Sequence, residues 1–277
     1  MLENKLVDDI VLRALNEDMP MGDITTDNTI DENEKSRAKL IAKEDGIIAG
    51  IEVAKRTFIL LDPNVIFTYQ IKDGTSVRKG DILLEFEGNS RAMLKAERTA
   101  LNLLQRMSGI ATRTAAFCEI VKDLPVTIVD TRKTTPGLRY LEKYAVRAGG
   151  GQNHRYCLSD GVLIKDNHIK AAGGITNAVN MVRGNIPHTI KIEVETENME
   201  MVREAVEAKA DIIMLDNMTN QQMKEAVEYI NKRALVEASG TVDELRVREI
   251  AETGVNIISV GRITHSVKAM DISMRFI

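Results

Sequence analysis

Six short apolar runs, Val126–Asp130, Val162–Lys165, Thr189–Glu195, Ile212–Asp216, Leu235–Ala238 and Ile257–Val260, alternate with helical patterns at Thr176–Val182, Glu197–Lys209, Gln221–Lys232 and Val242–Thr253. Repeated strand–helix units imply a parallel sheet. Thr219-x-x-Gln222 and Thr241-x-x-Glu244 fit the capping-box pattern, which places turns at the strand ends. At those ends stand Asp130, Lys165, Glu195, Asp216, Ser239 and Gly261. In a β/α barrel this rim builds the active site. A doubly wound open sheet also carries functional groups at strand ends, but it opens with a G-x-G-x-x-G loop. GGGQN at 149–153 lacks that spacing, so the sequence favours the barrel.

Upstream the pattern differs. Residues 3–17 read as an amphipathic helix, and short strands follow at Arg37–Ala42, Ile47–Ala49, Val65–Lys72 and Asp81–Phe86, with a helix near Val53–Leu61. From Asn89 to about Val121 a long helical pattern, broken near Ser108-Gly109, carries Arg98, Asn102, Gln105 and Arg106. The 277 residues suit two domains, or a barrel with an appendage. At 44% hydrophobic and 28% charged, the composition excludes disorder as the main state. No apolar run approaches the ~18–20 residues of a membrane span, and the first residues are acidic and amphipathic, so a cytoplasmic location is expected. Cys118 and Cys157 are too few for a disulfide scaffold and lack zinc-site spacing.

The net charge of −4 hides a reversal: between Asp130 and Lys170, eight Lys or Arg face four acids. A basic segment in an acidic chain suits a small polyanion better than nucleic acid, which would favour an extended positive face. A solvated helix face is the alternative. Four constellations give this segment chemistry. In DTRKTTPG, Arg132 and Lys133 follow a strand directly and suit an anion, the guanidinium forking onto a carboxylate or phosphate. His154-Arg155, followed by Lys165 at the next strand end, adds cations from separate segments, although His154 alone would read as a core histidine. Glu195 and Asp216 place two carboxylates on the same rim and suit a Mg²⁺ ion bridging to phosphate oxygens; helix-capping acids are the alternative. EASGT (237–241) and SVGRITHS (259–266) set Gly240 and Gly261 beside helix starts, where backbone N–H groups can cradle phosphate.

Taken in order, GDITT (22–26), ERTALNLLQRMSGIAT (97–112), DTRKTTPGLR (130–139), KYAVRAGGGQNHR (143–155), LIKDNHI (163–169), VET, LDN, EASG and SVGRITHS resemble the quinolinate phosphoribosyltransferases, or carboxylating nicotinate-nucleotide pyrophosphorylases. The resemblance implies an N-terminal, hammerhead-like α/β sandwich over residues 1–105, followed by an incomplete, seven-stranded α/β barrel over 106–266, with the tail 267–277 returning to the first domain. It implies phosphoribosyl transfer from phosphoribosyl pyrophosphate to quinolinate with decarboxylation, a step of NAD biosynthesis that needs Mg²⁺ and no organic cofactor. Arg132, His154, Arg155 and Lys165 would form the quinolinate pocket, with Arg98 lent by the neighbouring subunit of at least a homodimer. Lys133, Glu195, Asp216, Ser239, Gly240, Gly261 and His265 would hold phosphoribosyl pyrophosphate and the metal, with Lys133, Lys165, Glu195 and Asp216 acting in catalysis. Two departures, Thr241 for a second glycine and Arg262 for a small residue, preserve a backbone N–H and leave phosphate binding expected. Two other readings are weighed against this one: a related transferase acting on nicotinate, or a carrier module built on the lipoyl-like KDGTSVRKGDILLEFEG at 72–88. Lys72 and Lys79 lack the context of a modifiable carrier lysine.

Overall fold

The computed structural model describes residues 2–277. The chain divides into two compact units: one contains the chain up to Ala115 with Thr134–Gly150 and Thr264–Ile277, the other Ala116–Lys133 and Gly151–Ile263.

The first unit contains helices α1 (Asn4–Asp18), α2 (Ile24–Thr29) and α3 (Ile51–Leu61), strands β1 (Lys35–Ala42), β2 (Gly46–Ile47), β3 (Ile66–Gln70), β4 (Ser76–Val77) and β5 (Ile82–Asn89), and most of the long helix α4 (Ser90–Ile120). Helix α5 (Arg139–Ala148) and strand β12 (Ile272–Phe276) also belong to it. Its main sheet runs β12-β1-β5-β3, all antiparallel, and β2 pairs with β4. Period-two alternation turns Leu40, Leu84 and Phe86 inward, where they meet Phe58 and Met93 in one apolar cluster. The rings of Phe58 and Phe86 lie 4.3 Å apart.

Several expectations for this unit change. Helix α4 runs unbroken through Ser108-Gly109. Gly109 is there for close approach: a Cβ would sit 2.2 Å from the carbonyl of Lys268. Helix α2 forms because Asp23 accepts the N–H groups of Thr25 and Thr26 and caps one short run. Helix α5 has no expected counterpart; it buries the charged Glu142 and Lys143, which breaks the apolar period. Arg106 donates to Glu142 Oε1 at 2.8 Å, so that buried carboxylate is paired. The tail does return to this unit, as strand β12 beside β1.

The second unit holds the six-stranded parallel sheet β6-β11-β10-β9-β8-β7, formed by β6 (Thr127–Val129), β7 (Val162–Ile164), β8 (Ile192–Thr196), β9 (Ile212–Asp216), β10 (Leu235–Ser239) and β11 (Ile257–Ser259). Beyond β6, the seventh strand of the expected barrel is reduced to one parallel bridge between Val129 and Gln152. Helices α6 (Asp166–Ala172), α7 (Ile175–Arg183), α8 (Met199–Glu207), α9 (Asn220–Ile230) and α10 (Val247–Ala251) follow in the crossovers. The capping box at Thr219 and Gln222 forms. The one at Thr241 does not, and α10 begins only at Val247: the Thr241 N–H goes to Asn217, while Asp243 accepts from Leu245 and Arg246. Helix α11 (Arg262–His265) lies where the two units meet in sequence. No helix among the described residues is long and apolar enough to cross a membrane.

Candidate active site

At the carboxyl ends of the parallel strands lies a cavity of about 600 Å³, wholly within the second unit. Arg132 and Lys133 reach it after β6, Lys165 after β7, Glu195 from β8, Asp216 from β9, and Ser239 and Gly240 from β10, joined by His154 and Arg155. Leu163 and Met214 supply an apolar portion of the lining. Four side-chain cations thus face two carboxylates across one small space. Gly261 follows the last strand and is not among the lining residues; Arg98, on α4, and His265, hydrogen-bonded through Nδ1 to Ser266 Oγ, belong to the first unit.

The charges are held by specific partners. Lys165 Nζ lies 2.6 Å from Glu195 Oε2, so a cation expected to meet a substrate and an acid expected to meet a metal neutralise each other. His168 caps α6 by accepting the Lys165 N–H on Nδ1 at 3.0 Å. Arg155 donates to the Gly161 carbonyl at 2.9 Å. Burial, and then the neighbouring charge of Arg132, hold the Arg155 guanidinium below its usual pKa, while Glu193 opposes the shift.

Asn217, missed in the sequence reading, organises the loop after β10. Its backbone adopts φ +53°, a left-handed conformation that Asn tolerates better than most residues. Its N–H donates to the Ser239 carbonyl, its Nδ2 to Asp216 Oδ2, and its Oδ1 accepts from the Thr241 N–H. Gly240 must be glycine here: its φ is +113°, and a Cβ would lie 2.3 Å from Asn217 Oδ1. Thr241 does keep its N–H, but directs it to Asn217.

Below the rim is a second feature the sequence reading did not find. His154 Nε2 lies 3.2 Å from Glu193 Oε2 and 3.6 Å from Glu237 Oε1, and both glutamates are buried. Strand periodicity carries the signal: Glu193 lies two residues before Glu195 and Glu237 two before Ser239, so each shares a face with a rim residue. Burial and the nearby Glu193 charge push the Glu237 carboxyl up to about 7, with His154 acting in the opposite direction.

Comparison with known proteins identifies the family. The C-terminal domain of quinolinate phosphoribosyl transferase matches residues 110–275, and its N-terminal domain matches 23–108. The chain belongs to the quinolinate phosphoribosyl transferase family. Among the curated relatives of this family, the probable nicotinate-nucleotide pyrophosphorylase [carboxylating] of Bacillus subtilis is 46% identical over 93% of this chain and 89% of its own length. The quinolinate phosphoribosyltransferase [decarboxylating] 1b of Nicotiana tabacum is 43% identical over 96% of this chain and 81% of its own. The crystal structure of NadC from Streptococcus pyogenes superposes with a TM-score of 0.96 at 41% identity, covering 100% of this chain and 99% of that one. The family's two-domain α/β fold is therefore the fold of this chain.

Proposed function

We propose that this family member transfers a phosphoribosyl group from phosphoribosyl pyrophosphate to the ring nitrogen of quinolinate and releases pyrophosphate and CO₂, giving nicotinate mononucleotide. One observation carries the reading: Arg132, Lys133, Arg155 and Lys165 converge with Glu195 and Asp216 on a single cavity at the strand ends. Quinolinate brings two carboxylates towards a still more anionic co-substrate, and without a fixed positive pocket the two would repel. Arg132, Arg155 and Lys165 offset that repulsion and aim the ring nitrogen at C1 of the ribose, a proximity effect that lowers barriers by several kcal/mol, ~7–11 at the ideal limit. Ser239 and Gly240 line the same cavity and would help hold phosphoribosyl pyrophosphate.

Glu195 and Asp216 fit a Mg²⁺ ion, since both line the cavity and carry the hard carboxylate oxygens such an ion takes. Bound there, Mg²⁺ would neutralise charge developing on the departing pyrophosphate. Lys133 lends its ammonium to the same leaving group. The Lys165–Glu195 ion pair must open for Lys165 to meet a substrate carboxylate and for Glu195 to use both its oxygens. After N-glycosylation the pyridinium ring itself is the electron sink for the carbanion left by CO₂, so no organic cofactor is needed. Arg98, Gly261 and His265 complete this reading, with Arg98 donated by a second copy in a homodimer.

The deciding assay supplies phosphoribosyl pyrophosphate with carboxyl-labelled quinolinate or nicotinate, with and without Mg²⁺. CO₂ release from quinolinate only, and only with Mg²⁺, supports the proposal; turnover of nicotinate alone overturns it. Arg132→Ala is expected to raise the KM for quinolinate about ten-fold or more, as loss of a charged hydrogen bond does, with a smaller effect on kcat.

A further inference from the structure

The His154–Glu193–Glu237 cluster lies at the junction of two cavities: His154 lines the upper one, and all three residues line a lower one of about 630 Å³ at the opposite ends of the strands. A histidine with two carboxylates is a common metal-binding set, but the hydrogen bonds of His154 oppose that use. Its Nδ1 accepts the Arg155 backbone N–H at 2.7 Å, so Nδ1 carries no proton. The ring proton is therefore on Nε2, facing the two glutamates. A metal on Nε2 would require the proton to move to Nδ1, against an N–H already pointing there.

The same short segment is gripped from its other side. Buried Asp130 accepts the His154 N–H at 2.9 Å and Asn153 Nδ2 at 2.6 Å, and Gln152 exchanges backbone hydrogen bonds with Ile128 and Asp130. The residue that emerges from this grip is Arg155, and the charge of Glu193 acts on its guanidinium.

We propose that Glu193 is a positioning residue which, through the Nε2–H of His154, clamps the 152–155 segment and fixes the pose in which Arg155 meets a substrate carboxylate. The proposal rests on reading the upper cavity as the quinolinate site. His154 then serves the pocket from beneath: both its ring nitrogens are engaged by the protein, and it sets the position of the neighbouring arginine.

The experiment has two readouts. In substrate-free wild-type enzyme, ¹⁵N NMR of labelled histidine should show His154 as the neutral Nε2–H tautomer; an Nδ1–H tautomer or an imidazolium at pH 7.5 overturns the clamp. This readout is independent of what the enzyme turns over, so failure of the assay above condemns the functional reading without deciding this one. In kinetics, Glu193→Leu should raise the KM for quinolinate about ten-fold with the KM for phosphoribosyl pyrophosphate within about two-fold, and Glu193→Gln, which keeps an acceptor, should restore most of the loss. Glu193→Ala provides a second variant without an acceptor should Glu193→Leu fold poorly, with the same selective rise expected. Equal changes in both KM values, or Gln behaving no better than Leu, overturn the proposal.

Discussion

In the antiparallel sheet, Leu40, Leu84 and Phe86 turn into an interior cluster made of apolar residues. In the parallel sheet, Glu193 and Glu237 are buried on strands whose next inward positions are Glu195 and Ser239, and Asp130 is buried just past β6. Burying a carboxylate costs several kcal/mol unless it is partnered, so a chain that needed only a stable sheet would use the first arrangement twice. The contrast teaches that the parallel sheet is built around its chemistry and the antiparallel one around its packing.

Substitutions in the two sheets should therefore fail differently. The largest effect on stability belongs to the antiparallel side: Phe86→Ala removes a ring packed on Phe58 and should lower unfolding free energy by about 3–5 kcal/mol in urea melts, leaving the turnover of the folded fraction near normal. Next, on the parallel side, Glu195→Ala should cut kcat about 10²–10³-fold while the thermal midpoint shifts little, as measured by Mg²⁺-dependent turnover and calorimetry on one sample. A loss of both properties in either variant would erase the distinction.

A smaller effect sharpens it. The folded Glu237 carboxyl titrates at about 7, against an ordinary value of 4.5, so between these pH values the native form retains a proton that the unfolded chain has released. Its stabilising contribution is complete below about 4.5 and is lost as pH rises through about 7. The thermal midpoint should fall from pH 5 to pH 8 more steeply in the wild type than in Glu237→Gln; equal slopes would separate this carboxyl from stability. The smallest effect is in the first unit, where Arg56→Ala should cost about 1–2 kcal/mol in urea melts, since it removes a two-point hydrogen bond from a partly buried guanidinium to Asp8.

Much of the rim was legible in the sequence because Arg132, Lys165, Glu195 and Asp216 stand at or just past the point where an apolar run stops. The layer below was not. Glu193 and Glu237 lie inside apolar runs, where a charged residue reads as an interruption until the two-residue period of a strand is imposed on it. Helix α5 was hidden for a related reason, since its buried Glu142 and Lys143 occupy positions where periodicity looks for leucine. Gly109 was misjudged because a glycine that breaks a helix and one that lets another segment come close look alike in sequence. Asn217 was passed over because its work is done through a backbone angle and a loop hydrogen bond, which become visible only when Gly240 lies against it.

Strand β12 pairs with β1 in a register that sets Ile272 beside Ala42 and Phe276 beside Ala38. A ribosome must therefore translate the whole intervening stretch before the edge of that sheet can be filled. Until then the flank of β1 presents unpaired amides and carbonyls on the nascent chain, and a chaperone or a well-timed pause in translation would be of most use during that interval.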